Sequence, residues 1–216
     1  MTKKILITGA NGQLGHEMRN ALKGNNRFEC IFTDVAELDI CNAEAVKQTI
    51  ADNHIDYIVN CAAYTQVDKA EDNAELCRKI NTDAVENLAR AAATYGARMI
   101  HISTDYVFNG RGYRPYTEAM TPDPQSVYGS TKLEGEKILT DICPESIIIR
   151  TAWLYSPYGN NFVKTMLHLG KEREELSVVS DQIGTPTCAA DLVQAILVIL
   201  QADTFVPGTY HFSDEG

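Results

Sequence analysis

Apolar residues along the chain fall into short unbroken runs, and between the runs they recur three and four residues apart. Ile5 to Thr8, Phe28 to Thr33, Tyr57 to Cys61, Met99 to Ile102 and Ile147 to Arg150 are runs of the first kind. They alternate little with polar residues, which predicts strands covered on both faces. Leu176 to Val179 and Tyr210 to Phe212 read as two more strands. Helical spacing occupies Gln13 to Leu22, stopped by Gly24, and Ala43 to Asp52, behind Asn42 as N-cap. It continues over Asp68 to Asn81 and the alanine-rich Thr82 to Tyr95. A further helix opens at Tyr128 and runs through Leu133, Ile138 and Leu139, followed by Asn161 to Lys171 and Asp191 to Leu200. Strands alternating with helices predict an α/β fold with a doubly wound parallel sheet.

In such a sheet, ligands sit beyond the C-terminal ends of the strands. The first strand runs straight into Gly9-Ala10-Asn11-Gly12-Gln13-Leu14-Gly15, and a helix follows. The first glycine permits a tight turn, the second a close backbone approach to a pyrophosphate, and the third close packing of helix on strand. Asp34 ends the second strand, nineteen positions after Gly15. A carboxylate there accepts hydrogen bonds from an adenosine ribose and repels a 2′-phosphate. Val35-Ala36-Glu37 follows it without a cation, which leans towards NADH. After the third strand, Ala62 and Ala63 are small enough for a cofactor to lie against backbone. Ser103-Thr104-Asp105 places hydroxyls where a substrate carbonyl would sit. His101, within the strand before them, reads as a core residue with satisfied nitrogens rather than as a catalyst.

Tyr128 and Lys132 lie four apart at a helix start and so share one face. An ammonium near the phenol favours the phenolate and lowers a pKa that is otherwise near ~10. The pair is then a proton donor and acceptor for a carbonyl or alcohol. Taken alone, Tyr-x-x-x-Lys is a weak motif in a chain with ten tyrosines, and an ordinary exposed helix start is the alternative. Trp153, the only tryptophan, follows the strand ending at Arg150 and suits either a core or the face of a sugar.

Composition narrows the class. A chain of 216 residues, 44% hydrophobic and 22% charged, suits one core-forming domain, or one with a small appendage. No apolar run approaches the ~20 residues of a bilayer span. Before Gly9 there is no room for a signal-peptide core. A net charge of −10 without a basic run argues against nucleic acid and anionic membrane as partners. The six cysteines are scattered without metal-ligand spacing, which predicts free thiols in a reducing cytoplasm and no metal site.

Several blocks resemble the extended short-chain dehydrogenase/reductases, and within them the dTDP-4-dehydrorhamnose reductase family. These are Gly9 to Gly15, Asn60 to Glu71, Ser103 to Phe108, Tyr128 to Glu136, Arg150 to Tyr155 and Asp181 to Thr187. The resemblance implies a Rossmann-type fold. It also implies hydride delivery from NADPH or NADH to the 4-keto carbon of dTDP-4-dehydro-β-L-rhamnose, a nucleotide-sugar substrate. By the family pattern Tyr128 donates the proton, Lys132 holds the nicotinamide ribose, and Thr104 polarises the carbonyl with Asp105 beside it. Gly12, Gln13, Leu14, Asp34, Asp39, Ile40, Ala63, Tyr64 and Thr65 fall on cofactor positions, and Trp153 on a sugar-contacting one. Residues 1–150 then form the NAD(P)-binding domain and 151–216 the start of a substrate lobe, since the family usually continues past this length. Some members bind magnesium at a dimer contact through glutamates. Glu17 matches one such position but Ala190 stands at another, so magnesium is not expected, and a homodimer is left open. Two rival readings are an epimerase or dehydratase of another nucleotide sugar, and a non-catalytic subunit like that of methionine adenosyltransferase.

Overall fold

The computed structural model describes residues 2–215. Six parallel strands form the central sheet: β1 (Lys3–Thr8), β2 (Phe28–Phe32), β3 (Tyr57–Asn60), β4 (Arg98–Thr104), β5 (Ile147–Thr151) and, last in the chain, β8 (Gly208–His211). Their order across the sheet is β2-β1-β3-β4-β5-β8. The chain therefore reverses direction between β1 and β3, which makes that crevice the switch point of a doubly wound sheet.

Both faces of the sheet are covered, as the unbroken apolar runs require. Ile5, Ile7, Val59, Ile100, Ile147 and Ile149 point to one side. There they meet Leu14 and Met18 of α1 (Gln13–Ala21) and Leu192, Val193 and Ile196 of α8 (Ala189–Gln201). Leu6, Ile58, Met99 and Ile148 point to the other side. Their partners are Val46 and Ile50 of α2 (Ala43–Asn53), Leu88 and Ala92 of α5 (Ala84–Tyr95), and Leu139 of α6 (Val127–Ile142). Adjacent strand residues thus serve opposite cores, the period of two expected of a pleated strand.

Helix starts follow local chemistry. Asn42 accepts from the Ala45 N–H, Ser126 from the Gly129 N–H and Asn161 from the Lys164 N–H. Each satisfies one of the orphan donors at a helix N-terminus.

Two expectations need correction. The helix over 68–81 is interrupted. It forms α3 (Val67–Asp72) and α4 (Ala74–Arg78), then passes through a π-helical turn (Lys79–Asp83) directly into α5. The wider turn carries the Asn81 side chain inward, where it bonds the backbone of Tyr64. Next, Leu176 to Val179 is no strand: it is irregular, and Leu176, Val178 and Val179 are exposed. An apolar run becomes a strand only where an edge offers it hydrogen bonds, and none does here. Beyond β5 the chain makes an excursion and then comes back. Residues 152–186 depart, carrying β6 (Leu154–Tyr155) and α7 (Phe162–Glu172), and β7 (Thr187–Cys188) pairs with β6. Residues 189–211 then return to the main body as α8 and β8.

Candidate active site

The C-terminal ends of β1, β3, β4 and β5 open on one cavity of about 1560 Å³. Its floor near β1 is the glycine turn. Gly9 has φ of +63°, and a Cβ there would meet the Ala62 Cα at 2.7 Å. A Cβ on Gly15 would lie 2.5 Å from the Gly9 carbonyl oxygen. Only glycine lets the turn sit this close to the end of β3 and to its own helix. Gly12 caps α1 without a side-chain bond, and the first turn of α1 holds no acid. The first N–H groups and the positive end of the helix dipole are left for an anion, so the turn fits a pyrophosphate.

Asp34 stands beside this turn. Its carboxylate accepts from the Asn11 N–H at 2.9 Å and the Val35 N–H at 2.8 Å, one on each oxygen. Each oxygen keeps further acceptor capacity. Asp39 and Ile40 also line the cavity, but the Ile40 side chain is packed in the core, so only its backbone is offered. Ala63 and Thr65 line it after β3. Tyr64 and Gly15 do not: Tyr64 turns into a small cluster with Ala70, Cys77 and Tyr128, and Gly15 packs behind the turn.

Across from the turn, Thr104, Asp105, Tyr128 and Lys132 line the same cavity. The Thr104 hydroxyl accepts from the Tyr106 N–H at 3.2 Å and donates to Asp105 Oδ1 at 3.1 Å. Burial raises the Asp105 carboxyl above the usual range, against the pull of the Thr104 hydroxyl, two backbone N–H groups and His211. Tyr128 is held edge-on by Tyr106, with ring centroids 5.5 Å apart. Burial pushes its phenol up to about 12, and the Thr104 hydroxyl beside it pulls the other way. Lys132 is almost wholly buried, and burial lowers its ammonium to about 8, against the opposing charges of Glu136 and Cys77. The expected lowering of the phenol by the lysine is therefore not what sets Tyr128 here. Desolvation dominates both groups and drives both towards their uncharged forms.

Trp153 adopts the left-handed region at φ of +47° and stays 43% exposed at the cavity edge. A Cβ on Gly184 would lie 3.0 Å from its indole, so the 181–187 segment runs against one side of the ring. Cys61 also lines the cavity, and burial pushes its thiol up to about 12, which keeps it protonated and unreactive at neutral pH.

Sequence reasoning missed the residues that hold these in place. Glu136, one turn beyond Lys132, is buried and accepts from Ser103 Oγ at 2.5 Å and from Arg150 Nη2 at 2.6 Å. An acid on the apolar face of a helix, with an arginine ending a buried strand, was the available signal. Asn60 and His101 form a buried chain to Lys132. Gln13 begins α1, yet its side chain leaves the turn: Nε2 donates to the Leu154 carbonyl at 3.3 Å and Oε1 accepts from Asn161 Nδ2 at 2.8 Å. No spacing in the sequence reports a contact across 148 residues.

The profile of the RmlD substrate binding domain family matches residues 3–216. A dTDP-4-dehydrorhamnose reductase of Aggregatibacter actinomycetemcomitans is 43% identical over 216 residues, covering 98% of this chain and 74% of that protein. The crystal structure of a dTDP-4-dehydrorhamnose reductase from Clostridium acetobutylicum superposes with a TM-score of 0.94 at 50% identity, covering 99% of this chain and 75% of that one. The Bacillus anthracis dTDP-4-dehydrorhamnose reductase, in complex with NADP, gives a TM-score of 0.96 at 44% identity, covering 100% and 76%.

Proposed function

The chain belongs to the RmlD substrate binding domain family, that of the dTDP-4-dehydrorhamnose reductases, and from this premise we infer how its cavity works. It is a nicotinamide-dependent oxidoreductase of dTDP-rhamnose biosynthesis. It reduces the 4-keto group of dTDP-4-dehydro-β-L-rhamnose to the alcohol of dTDP-β-L-rhamnose. The observation that carries this reading is one cavity with two walls: a glycine turn fit for a pyrophosphate, and Thr104 with Tyr128 opposite it. A reduced nicotinamide, when bound, supplies the hydride.

Negative charge then develops on the C4 oxygen, and donors aimed at that oxygen stabilise it. The hydroxyls of Tyr128 and Thr104 take that role in this reading. With its pKa pushed up to about 12, Tyr128 is a protonated phenol throughout the neutral range and so carries the proton that the C4 oxygen takes up. Lys132 holds the sugar next to the nicotinamide and, in its ammonium form, supplies positive charge behind the phenol as it loses its proton. Asp105 orients Thr104 through their mutual hydrogen bond. Trp153 offers its free face to the sugar.

Backbone N–H groups at Gln13 and Leu14 take the pyrophosphate, and Asp34 takes the adenosine ribose. Because no cation follows Asp34 in Val35 to Glu37, NADH is used at least as well as NADPH. Comparing kcat/KM for the two cofactors, before and after Asp34→Ala, tests this. A strong preference for NADPH in the unaltered chain would remove Asp34 from the ribose. Residues 152–186 are the part of this chain that builds the substrate lobe. The reaction belongs in the reducing cytoplasm, which suits six unpaired cysteines. Among the described residues no helix is long and apolar enough to cross a membrane.

The experiment that tests the activity follows nicotinamide absorbance as the keto-sugar nucleotide is added. Stoichiometric oxidation with formation of dTDP-rhamnose is expected. Binding of cofactor without oxidation would assign the cavity to a non-catalytic subunit instead.

A further inference from the structure

Among the described residues Lys132 is the largest side chain buried to within 2% exposure, and the groups around its ammonium are mismatched. One partner, the Ile102 carbonyl, lies 2.7 Å from Nζ and accepts from it. The other is His101 Nε2, at 3.1 Å. Whether that nitrogen can accept depends on the far side of the imidazole. There, Nδ1 faces Asn60 Nδ2 at 3.0 Å.

The Asn60 amide cannot turn over. Its oxygen accepts from the Ala62 backbone N–H at 3.2 Å and from Thr8 Oγ1 at 2.6 Å. A backbone N–H is always a donor, so the amide oxygen must face it and the amide nitrogen must face His101. The imidazole Nδ1 is then an acceptor. Asn60, His101 and Thr8 are all buried, and burial together with the Lys132 charge depresses the imidazolium. A neutral imidazole that accepts at Nδ1 carries its single proton on Nε2. That N–H points at Nζ. It opposes an ammonium, which has only hydrogens to present, and matches an amine, which has a lone pair.

We propose that His101 is a positioning residue for Lys132: its tautomer, fixed through Asn60, aims Nε2–H at Nζ and favours the amine over the ammonium. The catalytic meaning of this rests on the reductase reading above, but the hydrogen-bond chain exists without substrate. Two charged or titratable groups work in the other direction: Glu136, one turn on in the same helix, and Cys77 of the neighbouring α4 both favour the ammonium. Glu136 is shared with Arg150 and Ser103, which leaves it less to give Lys132. The balance makes Lys132 a group that changes charge within the working pH range, not a permanent cation.

The test uses the whole protein without ligands. Long-range 15N–1H NMR of the His101 ring reads the tautomer, and 13Cε-labelled lysine reads the Lys132 titration. The expected result is the Nε2–H tautomer at neutral pH and a Lys132 midpoint near about 8. Asn60→Asp, which keeps the shape and the two accepted hydrogen bonds, supplies a carboxylate that draws the proton to Nδ1. The tautomer should flip, and the Lys132 midpoint should rise by about one pH unit or more. In turnover assays the basic limb of the kcat–pH profile should move with it, a change that a merely structural role would not produce. An Nδ1–H ring or an imidazolium in the unaltered protein overturns the proposal, and so does a flipped ring with an unmoved lysine. Failure of turnover with the NMR results intact would count against the reductase reading and leave this one standing.

Discussion

At Tyr128, burial and the proposed proton transfer pull on the same side chain. Its residue type and spacing from Lys132 are visible in the sequence, whereas its desolvation is not, because solvent exclusion belongs to the assembled cavity. Tyr128 belongs to a small apolar cluster and also lines the cavity. Tyr128→Phe is therefore expected to lower kcat by about 10²–10⁴-fold while the dissociation constant for NADH stays within about twofold. Rapid-quench turnover and calorimetric titration together would check it. Lys132 gives a second expectation, this one for stability. The unfolded chain keeps the ammonium up to 10.5, the folded chain only to about 8. Below 8 the folded protein carries the buried charge. Between 8 and 10.5 the unfolded chain binds more protons than the folded one, so the stability of the wild type rises with pH across that window relative to a variant without the group. In thermal melts, the Tm difference between wild type and Lys132→Met should shift in favour of wild type from pH 8 to 10.5 and stay flat below it.

Elements that are fixed by neighbouring residues are legible in the sequence. The turn from Gly9 to Gly15 and the helix behind Asn42 need only adjacent positions, and both form as expected. Elements that depend on distant partners are not. The π-helical turn exists because Asn81 reaches back to Tyr64, and no local propensity encodes that bond. The packing of α6 is of the same kind. A Cβ on Gly129 would collide with the Tyr106 carbonyl and one on Gly135 with the Asn81 carbonyl, so the helix carrying Tyr128 and Lys132 lies against two backbones. Its far end is tied down by the Glu136–Arg150 pair, which is buried on both sides. Removing one partner leaves the other charge without compensation. Glu136→Ala is expected to destabilise the fold by about 3–5 kcal/mol in urea titration. A loss below about 1 kcal/mol would mean that water replaces the carboxylate at Arg150.

For the molecule as a whole, the alternation of strands and helices announces a doubly wound sheet, and the structure has one. The helix and strand that return as α8 and β8 were legible too, but the pairing of β8 with β5, far earlier in the chain, was not. What stands apart is the short excursion between β5 and β7. Its helix α7 buries no residue, and Phe162, Leu167 and Ile183 are open to solvent. Few apolar contacts mean a low local opening energy. Hydrogen exchange over residues 162–186 is expected to be faster than over α8, and to slow when sugar nucleotide is added. Gln13 is where this excursion meets the glycine turn, with its backbone at one and its side chain at the other. A residue shared in this way makes the two ligands aware of each other, and such coupling is reciprocal. The consequence is a kinetic order. A nicotinamide cofactor that stills the turn is expected to still Leu154 and Asn161 as well, so that it enters first and its oxidised form leaves last. Gln13→Ala should loosen that sequence towards random addition and weaken the mutual enhancement of the two binding constants by about fivefold or more, read from initial-rate patterns with both ligands varied.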